Sequence, residues 1–320
     1  MIMRLLTWFT NAFPVWVLLG GVIALAHPAW FVWFTPYIVP GLAVIMLGMG
    51  MTLSVDDFRS VAKMPRAIGV GFAAHYMVMP FLGWSITKIV PLPDPIAAGV
   101  ILVSCCPCGT ASNVVNYLAH SNVALSVLLT MCSTFGAVFL TPLLTKWLAG
   151  ALVPVDGWGL FFDTIKVVLL PVLGGLALHH LFPRLVKAVS PVSPLVSVMT
   201  IALICASIIG KNADAVRQSG GAMLLAVFLL HASGFALGYL FSRAFGYDTI
   251  INRTISIEVG MQNSGLAVVL AQKNFSPLTA VPCAVSSVFH SVIGSVLAGI
   301  WRLRPPLRHL PESARLNTSL

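Results

Sequence analysis

The chain has 320 residues, of which 58% are hydrophobic and only 8% charged, with a mean hydropathy of +0.96. A soluble core of this size needs far more charged surface to stay dispersed, so the composition describes a polytopic membrane protein. The net charge of +9 does not point to nucleic acid, because the basic residues are spread singly between apolar segments, with no aromatic-basic patch.

Arg4, an apolar run and Ala24-Leu25-Ala26 together imitate a signal peptide and its cleavage site. An internal echo favours a first membrane helix instead: Pro14-Val15, Leu19-Gly20-Gly21 and Ala24-Leu25-Ala26-His27 reappear as Pro171-Val172, Leu173-Gly174-Gly175 and Leu176-Ala177-Leu178-His179. Apolar windows of spanning length follow near 13–30, 36–54, 66–90, 95–119, 122–149, 160–182, 192–210, 220–245, 248–272 and 278–301. The expected fold class is an all-α membrane protein of ten transmembrane helices.

The ten segments divide evenly near Gly150–Pro154, and the fourth of each half is interrupted. In the first half the break is Cys106-Pro107-Cys108-Gly109-Thr110-Ala111-Ser112-Asn113, where Pro107 removes a backbone donor and Gly109 relaxes the chain. In the second it is Glu258-Val259-Gly260-Met261-Gln262-Asn263-Ser264-Gly265. An odd number of spans per half makes the second half enter the membrane in the opposite sense. This predicts two inverted five-helix repeats whose broken segments, the fourth and ninth, cross near the midplane. Half-helix N-termini there suit an anion, and unwound carbonyls suit a cation.

Glu258 is the acid set deep in such a segment, where a carboxylate costs several kcal/mol unless partnered. The expectation is a cation held by Glu258 at the helix break; the alternative is a polar residue that packs one helix against another. Ser126 and Thr130, four apart on one expected helix, face the same way and carry oxygen ligands suited to a hard cation. The plainer reading is that such hydroxyls bond a preceding carbonyl or a neighbouring helix. His231 has no polar neighbour nearby in sequence and is read as packing.

Twelve of the eighteen Lys and Arg residues, from Arg4 and Arg59 to Arg315, fall on the side shared by the two termini; Lys88, Lys146, Lys166, Lys211, Arg217 and Lys273 fall on the other. Both termini are therefore expected in the cytoplasm. The domain reading is one transmembrane unit over 1–302 and a cytoplasmic tail, rich in Pro and Arg, over 303–320. The six cysteines lie in or beside apolar segments and suggest neither a disulfide framework nor zinc.

CCPCGTASN at 105–113, EVGMQNSGLA at 258–267, MGMTLSVDDF at 49–58 and VPCAVSSVFHS at 281–291 resemble the bile acid:sodium symporter family, its bacterial members most closely. The resemblance runs nearly to residue 302. It implies a core of helices 3–5 and 8–10 rocking against a panel of helices 1, 2, 6 and 7, with an organic anion and sodium moved together by alternating access. It also implies a first sodium site at Ser112, Asn113, Ser126, Thr130 and Glu258. A second would use Glu258, Gln262 and the carbonyls of Val259 and Met261, with a side chain from helix 3. Substrate would lie at Thr110 and Asn263, with His290 facing the same cavity; Thr110 has the alternative of capping the second half-helix, and His290 of bonding across the core.

The expected partners are one or two sodium ions, a small organic anion (bile-acid-like, pantoate-like or a keto acid) and the bilayer of the cell's inner membrane, with a monomer as the working unit and no nucleic acid. Departures from the family pattern are Cys108 and Cys283 for Gly, Ser291 for Asn and His75 for Gln. A neutral imidazole offers sodium a nitrogen, and a protonated one could replace the second sodium's charge; alternatively His75 turns toward another helix. If Cys108 and Cys283 form a conformational lock, their Cα atoms must lie about 4.4–6.8 Å apart. The competing functions are a proton-coupled or exchange carrier on the same scaffold and a membrane-embedded enzyme with Cys106 or Cys108 as nucleophile and His290 as base.

Overall fold

The computed structural model describes residues 9–10 and 12–303. Arg4 and residues 304–320 of the expected tail lie outside the described residues. Within them the secondary structure is helical: α1 (Phe13–Ala26), α2 (Ile38–Thr52), α3 (Val55–Val61), α4 (Pro65–Ile89), α5 (Asp94–Ser104), α6 (Ser112–Leu118), α7 (Val123–Ala149), α8 (Gly157–Thr164), α9 (Leu170–Leu181), α10 (Pro183–Val189), α11 (Ser193–Lys211), α12 (Ala213–Ala244), α13 (Thr249–Gly260), α14 (Ser264–Asn274) and α15 (Ala280–Leu303). A π-helical turn, Ile165–Leu169, joins α8 to α9.

Among the described residues, seven helical stretches are long and apolar enough to cross a membrane: Ala29–Thr52, Pro65–Ile89, Val123–Ala149, Gly157–Leu181, Ser193–Lys211, Gly220–Ala244 and Pro277–Leu303. Three expected segments are missing from that set. The first is α1, which at 14 residues is too short to qualify. The fourth and ninth are broken, into α5 and α6 and into α13 and α14.

Local chemistry explains where these helices start. Asp248 accepts from the N–H groups of Ile250 and Ile251 at 3.0 Å and caps α13. Asn122 caps α7 by accepting from Leu125 N–H, and Asn263 caps α14 by accepting from Leu266 N–H, both at 3.0 Å. Each satisfies an N–H that the first helical turn leaves without an intrahelical partner, a need sharpened where water is excluded.

The helices pack in two groups. In one, α9 lies along α2 and α11 lies against α1 and α2; in the other, α12 packs on α13, α4 and α15, and α7 on α4. The α2–α9 crossing is close because glycines stand on both sides. A Cβ on Gly50 would come within 2.9 Å of Val172 Cα, and one on Gly175 within 2.7 Å of Met51 N. Between the groups lie the two breaks.

Candidate ion and ligand site

The two interrupted segments are bonded to each other through their backbones. Gly109 N–H donates to the Met261 carbonyl at 2.9 Å, and Asn263 N–H donates to the Pro107 carbonyl at 2.8 Å. Groups orphaned by one break are thus satisfied by the other, as a low-dielectric interior requires. Pro107 supplies an acceptor while having no N–H to satisfy. Gly109 permits the approach, since a Cβ there would stand 2.6 Å from the Gln262 carbonyl oxygen.

On one side of this crossing sits Glu258, fully buried in the last turn of α13. Its Oε1 accepts from Ser112 Oγ at 2.6 Å, Ser126 Oγ at 2.6 Å and Asn116 Nδ2 at 3.1 Å, and its Oε2 accepts from Thr130 Oγ1 at 2.9 Å. Asn113 joins through Oδ1, 2.6 Å from Ser126 Oγ. The structure therefore brings together all five residues expected at the first sodium site.

The donor arithmetic at that site points to a cation. Ser126 has one hydroxyl proton but stands 2.6 Å from two acceptors, Asn113 Oδ1 and Glu258 Oε1. Asn116 Oδ1 is buried without a hydrogen-bond partner. Among the described residues the ion pairs lie elsewhere, at Arg59–Asp56, Arg217–Asp214 and Lys273–Asp163, so no basic side chain balances Glu258. Hydrogen bonds to a charged group contribute about 1.5–3 kcal/mol each. The effective penalty for burying an ion in a protein interior is several kcal/mol after relaxation. Four neutral donors can offset that penalty but leave the charge itself unbalanced, which an oxygen-seeking monovalent cation among these oxygens would neutralise.

The residues expected at a second site lie beside the first. Gln262 Nε2 donates to the Val259 carbonyl at 3.2 Å, while Gln262 Oε1 is buried and unpartnered. The Met261 carbonyl already accepts from Gly109. His75 is buried in α4 and reaches both breaks, with Nε2 2.8 Å from the Cys106 carbonyl and Nδ1 3.1 Å from the Glu258 carbonyl. A neutral ring has one N–H. Both carbonyls only accept, so a neutral ring can satisfy one of them; with the proton on Nε2 toward Cys106, Nδ1 turns a lone pair to the Cys108 thiol 3.3 Å away and leaves the Glu258 carbonyl without its proton.

The other side of the crossing faces a cavity of about 310 Å³. Apolar side chains such as Phe13, Ile45 and Met49 line it, together with Thr110, Asn113 and Ser291. A side pocket of about 20 Å³, lined by Thr110, Gln262, Asn263, Ser264 and His290 among others, lies beside it and shares Phe13, Ile45, Thr110, Ala111 and Ile201 with it. All three expected substrate residues thus reach this space. Thr110 does not cap α6, which has no side-chain cap. His290 does bond across the core, with Nε2 3.0 Å from Ser264 Oγ.

Two pairings expected as alternatives are not formed. Cys108 Sγ lies against His75 and His290 against Ser264 and Ser291, so no Cys108–His290 catalytic pair exists here. Cys108 and Cys283 are free thiols, the latter 3.4 Å from the carbonyls of Gly99 and Thr279. Sequence reasoning also missed two participants. Asn116 was readable, standing four residues after Ser112 on the same helix face. His231, read as packing, is hydrogen-bonded on both ring nitrogens, to partners 29 and 55 residues away.

A helical membrane protein with a buried oxygen-rich cluster around an acid and an adjoining apolar cavity has the features of an ion-coupled carrier. Residues 39–219 match the Sodium Bile acid symporter family, and the chain belongs to that family of sodium-dependent transporters. It is 55% identical over 299 residues, 93% of this chain and 75% of the relative, to a protein named as probable sodium/metabolite cotransporter BASS1, chloroplastic, of Arabidopsis thaliana. It is 47% identical over 303 residues, 94% of this chain and 72% of the relative, to the BASS2 counterpart in Oryza sativa subsp. japonica. It is 40% identical over 301 residues, 94% of each chain, to the uncharacterized sodium-dependent transporter YocS of Bacillus subtilis. The relatives are named as transporters, and the chain is accordingly a membrane transporter rather than an enzyme.

Asn116→Ala removes one donor to Glu258 and one orphaned oxygen. It should weaken sodium-dependent thermal stabilisation of the purified protein roughly 10-fold or more in apparent affinity, the equivalent of one hydrogen bond to a charged group. An unchanged sodium midpoint would exclude Asn116 from the site.

Proposed function

We propose that the protein is a symporter that moves a small organic anion with sodium by alternating access. One observation carries this reading: among the described residues the cavity and its side pocket have no charged side chain in their walls, while the wall residue Asn113 also accepts from Ser126 of the oxygen cluster around Glu258. An anion entering a wall without Lys or Arg meets its counter-charge in bound sodium. Each ligand then favours the state that holds the other, which is what coupling requires. A proton-coupled carrier on this scaffold would load its proton on Glu258 and leave Asn116 Oδ1 and Gln262 Oε1 without a partner, whereas a metal cation uses such oxygens.

The panel and core division is consistent with the two packing groups, the first holding helices 1, 2, 6 and 7 of the expected ten and the second helices 3–5 and 8–10. Two inverted repeats of five helices, crossing at the fourth and ninth, account for two breaks that satisfy each other's backbone groups. The distribution of Lys and Arg supports an inner-membrane protein with cytoplasmic termini and a tail over 303–320. The cavity includes Thr52 and Ser193, at the helix ends near Arg59, Lys63, Arg184 and Lys187, so this conformation is read as inward-facing. On the opposite side Asp163 of α8 bonds Lys273 at 2.7 Å and Asn274 at 2.9 Å, holding the outer side closed. A monomer suffices for this cycle, since both sites lie within one chain.

Sodium-gradient-driven uptake of organic anions into proteoliposomes tests the reading. Uptake should require the sodium gradient and vanish in Glu258→Ala; normal sodium-driven uptake in that variant would sink the assignment. With the His75 ring between the Cys106 and Glu258 carbonyls, about one strongly coupled sodium is expected, with a Hill coefficient near one that rises toward two in His75→Gln. Two-sodium cooperativity in the unmodified protein would contradict this.

A further inference from the structure

Behind the side pocket a chain of hydrogen bonds runs from the second helix break to the pocket wall. His231 Nδ1 is 2.8 Å from the Gly260 carbonyl, the last carbonyl of α13, and its Nε2 is 2.6 Å from Ser286 Oγ. Ser264 Oγ lies 3.1 Å from Ser286 Oγ and 3.0 Å from His290 Nε2. His290 Nδ1 is 3.3 Å from Ser291 Oγ. The two imidazoles are buried with centroids 5.3 Å apart, an arrangement that suits neutral rings and penalises two charges.

The directions of these bonds follow from one end. A carbonyl oxygen accepts only, so His231 donates through Nδ1–H, and its Nε2 must accept from the Ser286 hydroxyl. Ser286, having given its proton, accepts from Ser264. Ser264 therefore accepts from His290 Nε2–H, which leaves His290 Nδ1 to accept from Ser291. Each proton is committed away from the pocket. Ser264, a wall residue, has only a lone pair left to offer; Gln262, another wall residue, has an oxygen, Oε1, with no hydrogen-bond partner.

We propose that His231 and Ser286 are positioning residues that fix the polarity of the Ser264–His290 wall, so that the side pocket accepts a hydrogen bond from a hydroxyl of the substrate. This rests on the transport reading above and narrows it: the favoured anion carries a hydroxyl donor besides its charged group. The pocket's volume of about 20 Å³ holds one water-sized group, which suits a hydroxyl and not a carboxylate. An oxo group in the same place can accept from Thr110 or Asn263 but leaves the Ser264 lone pair and Gln262 Oε1 without a proton, whereas a hydroxyl accepts from the first pair and donates to the second.

The test has two arms. Nitrogen-15 NMR of histidine-labelled protein, assigned with single His→Asn variants, should show His231 with its proton on Nδ1 and His290 with its proton on Nε2. Ser286→Ala should mix the His290 tautomers, and Ser286→Thr, which keeps the hydroxyl, should restore them. His290 protonated on Nδ1 in the unmodified protein would overturn the proposal. In the second arm, sodium-dependent thermal shifts are compared for 2-hydroxy-4-methylpentanoate and 2-oxo-4-methylpentanoate, which share charge and skeleton. The hydroxy acid should bind at least about fivefold tighter, with the ratio falling to near one in Ser286→Ala and recovering in Ser286→Thr. Equal binding of the two acids by the unmodified protein overturns the proposal. Discrimination between them without any sodium dependence supports the wall polarity and counts instead against sodium coupling.

Discussion

Two backbone hydrogen bonds between the broken segments, Gly109 to Met261 and Asn263 to Pro107, are the constraint on which the rest of the structure depends. A helix broken inside a membrane exposes donors and acceptors that lipid cannot satisfy, each at a cost of several kcal/mol. Pairing one break with the other removes that cost and fixes the two segments in one register. The contact distance is set by Gly109, which has no Cβ to strike the Gln262 carbonyl. Everything functional in the chain hangs from this short crossing.

The crossing has two faces with opposite chemistry, and their separation by one layer of backbone is what permits coupling. On one face, Glu258 draws Ser112, Asn116, Ser126 and Thr130 around a negative charge that no basic side chain among the described residues balances. On the other, apolar walls and hydroxyls form a cavity without charged side chains among the described residues. Asn113 touches both. A cation on the first face therefore changes the electrostatics of the second through a few ångströms of poorly screened interior, where charge interactions are strong. The His231 relay adds a second link: it ties the last carbonyl of α13 to the wall of the side pocket.

Much of this was legible in the sequence because membranes penalise polarity. A carboxylate, a proline and paired glycines inside apolar segments stand out against their surroundings, so both breaks and Glu258 could be found directly, and the spacing of Ser126 and Thr130 gave a shared helix face. That same spacing applied to Ser112 would have found Asn116. The His231–Ser286–Ser264–His290 relay was beyond reach, because it joins three helices: His231 reads as packing and His290 as a cavity or core residue, and no spacing links the two. Nor could spacing say which way His75 turns, a matter decided by the carbonyls of Cys106 and Glu258 that only the folded breaks bring together. Segment counting was blurred for the same physical reason that breaks matter: an interrupted helix no longer has spanning length.

We propose that the crossing builds a sodium site around the Glu258 carboxylate. The most direct measurement is equilibrium binding of radioactive sodium to the purified protein without any organic anion, in unmodified and Glu258→Gln forms. The amide keeps the side chain's size and removes its charge. The unmodified protein should bind about one ion per chain saturably, and the variant should lose that binding. Binding by Glu258→Gln equal to that of the unmodified protein would contradict the proposal.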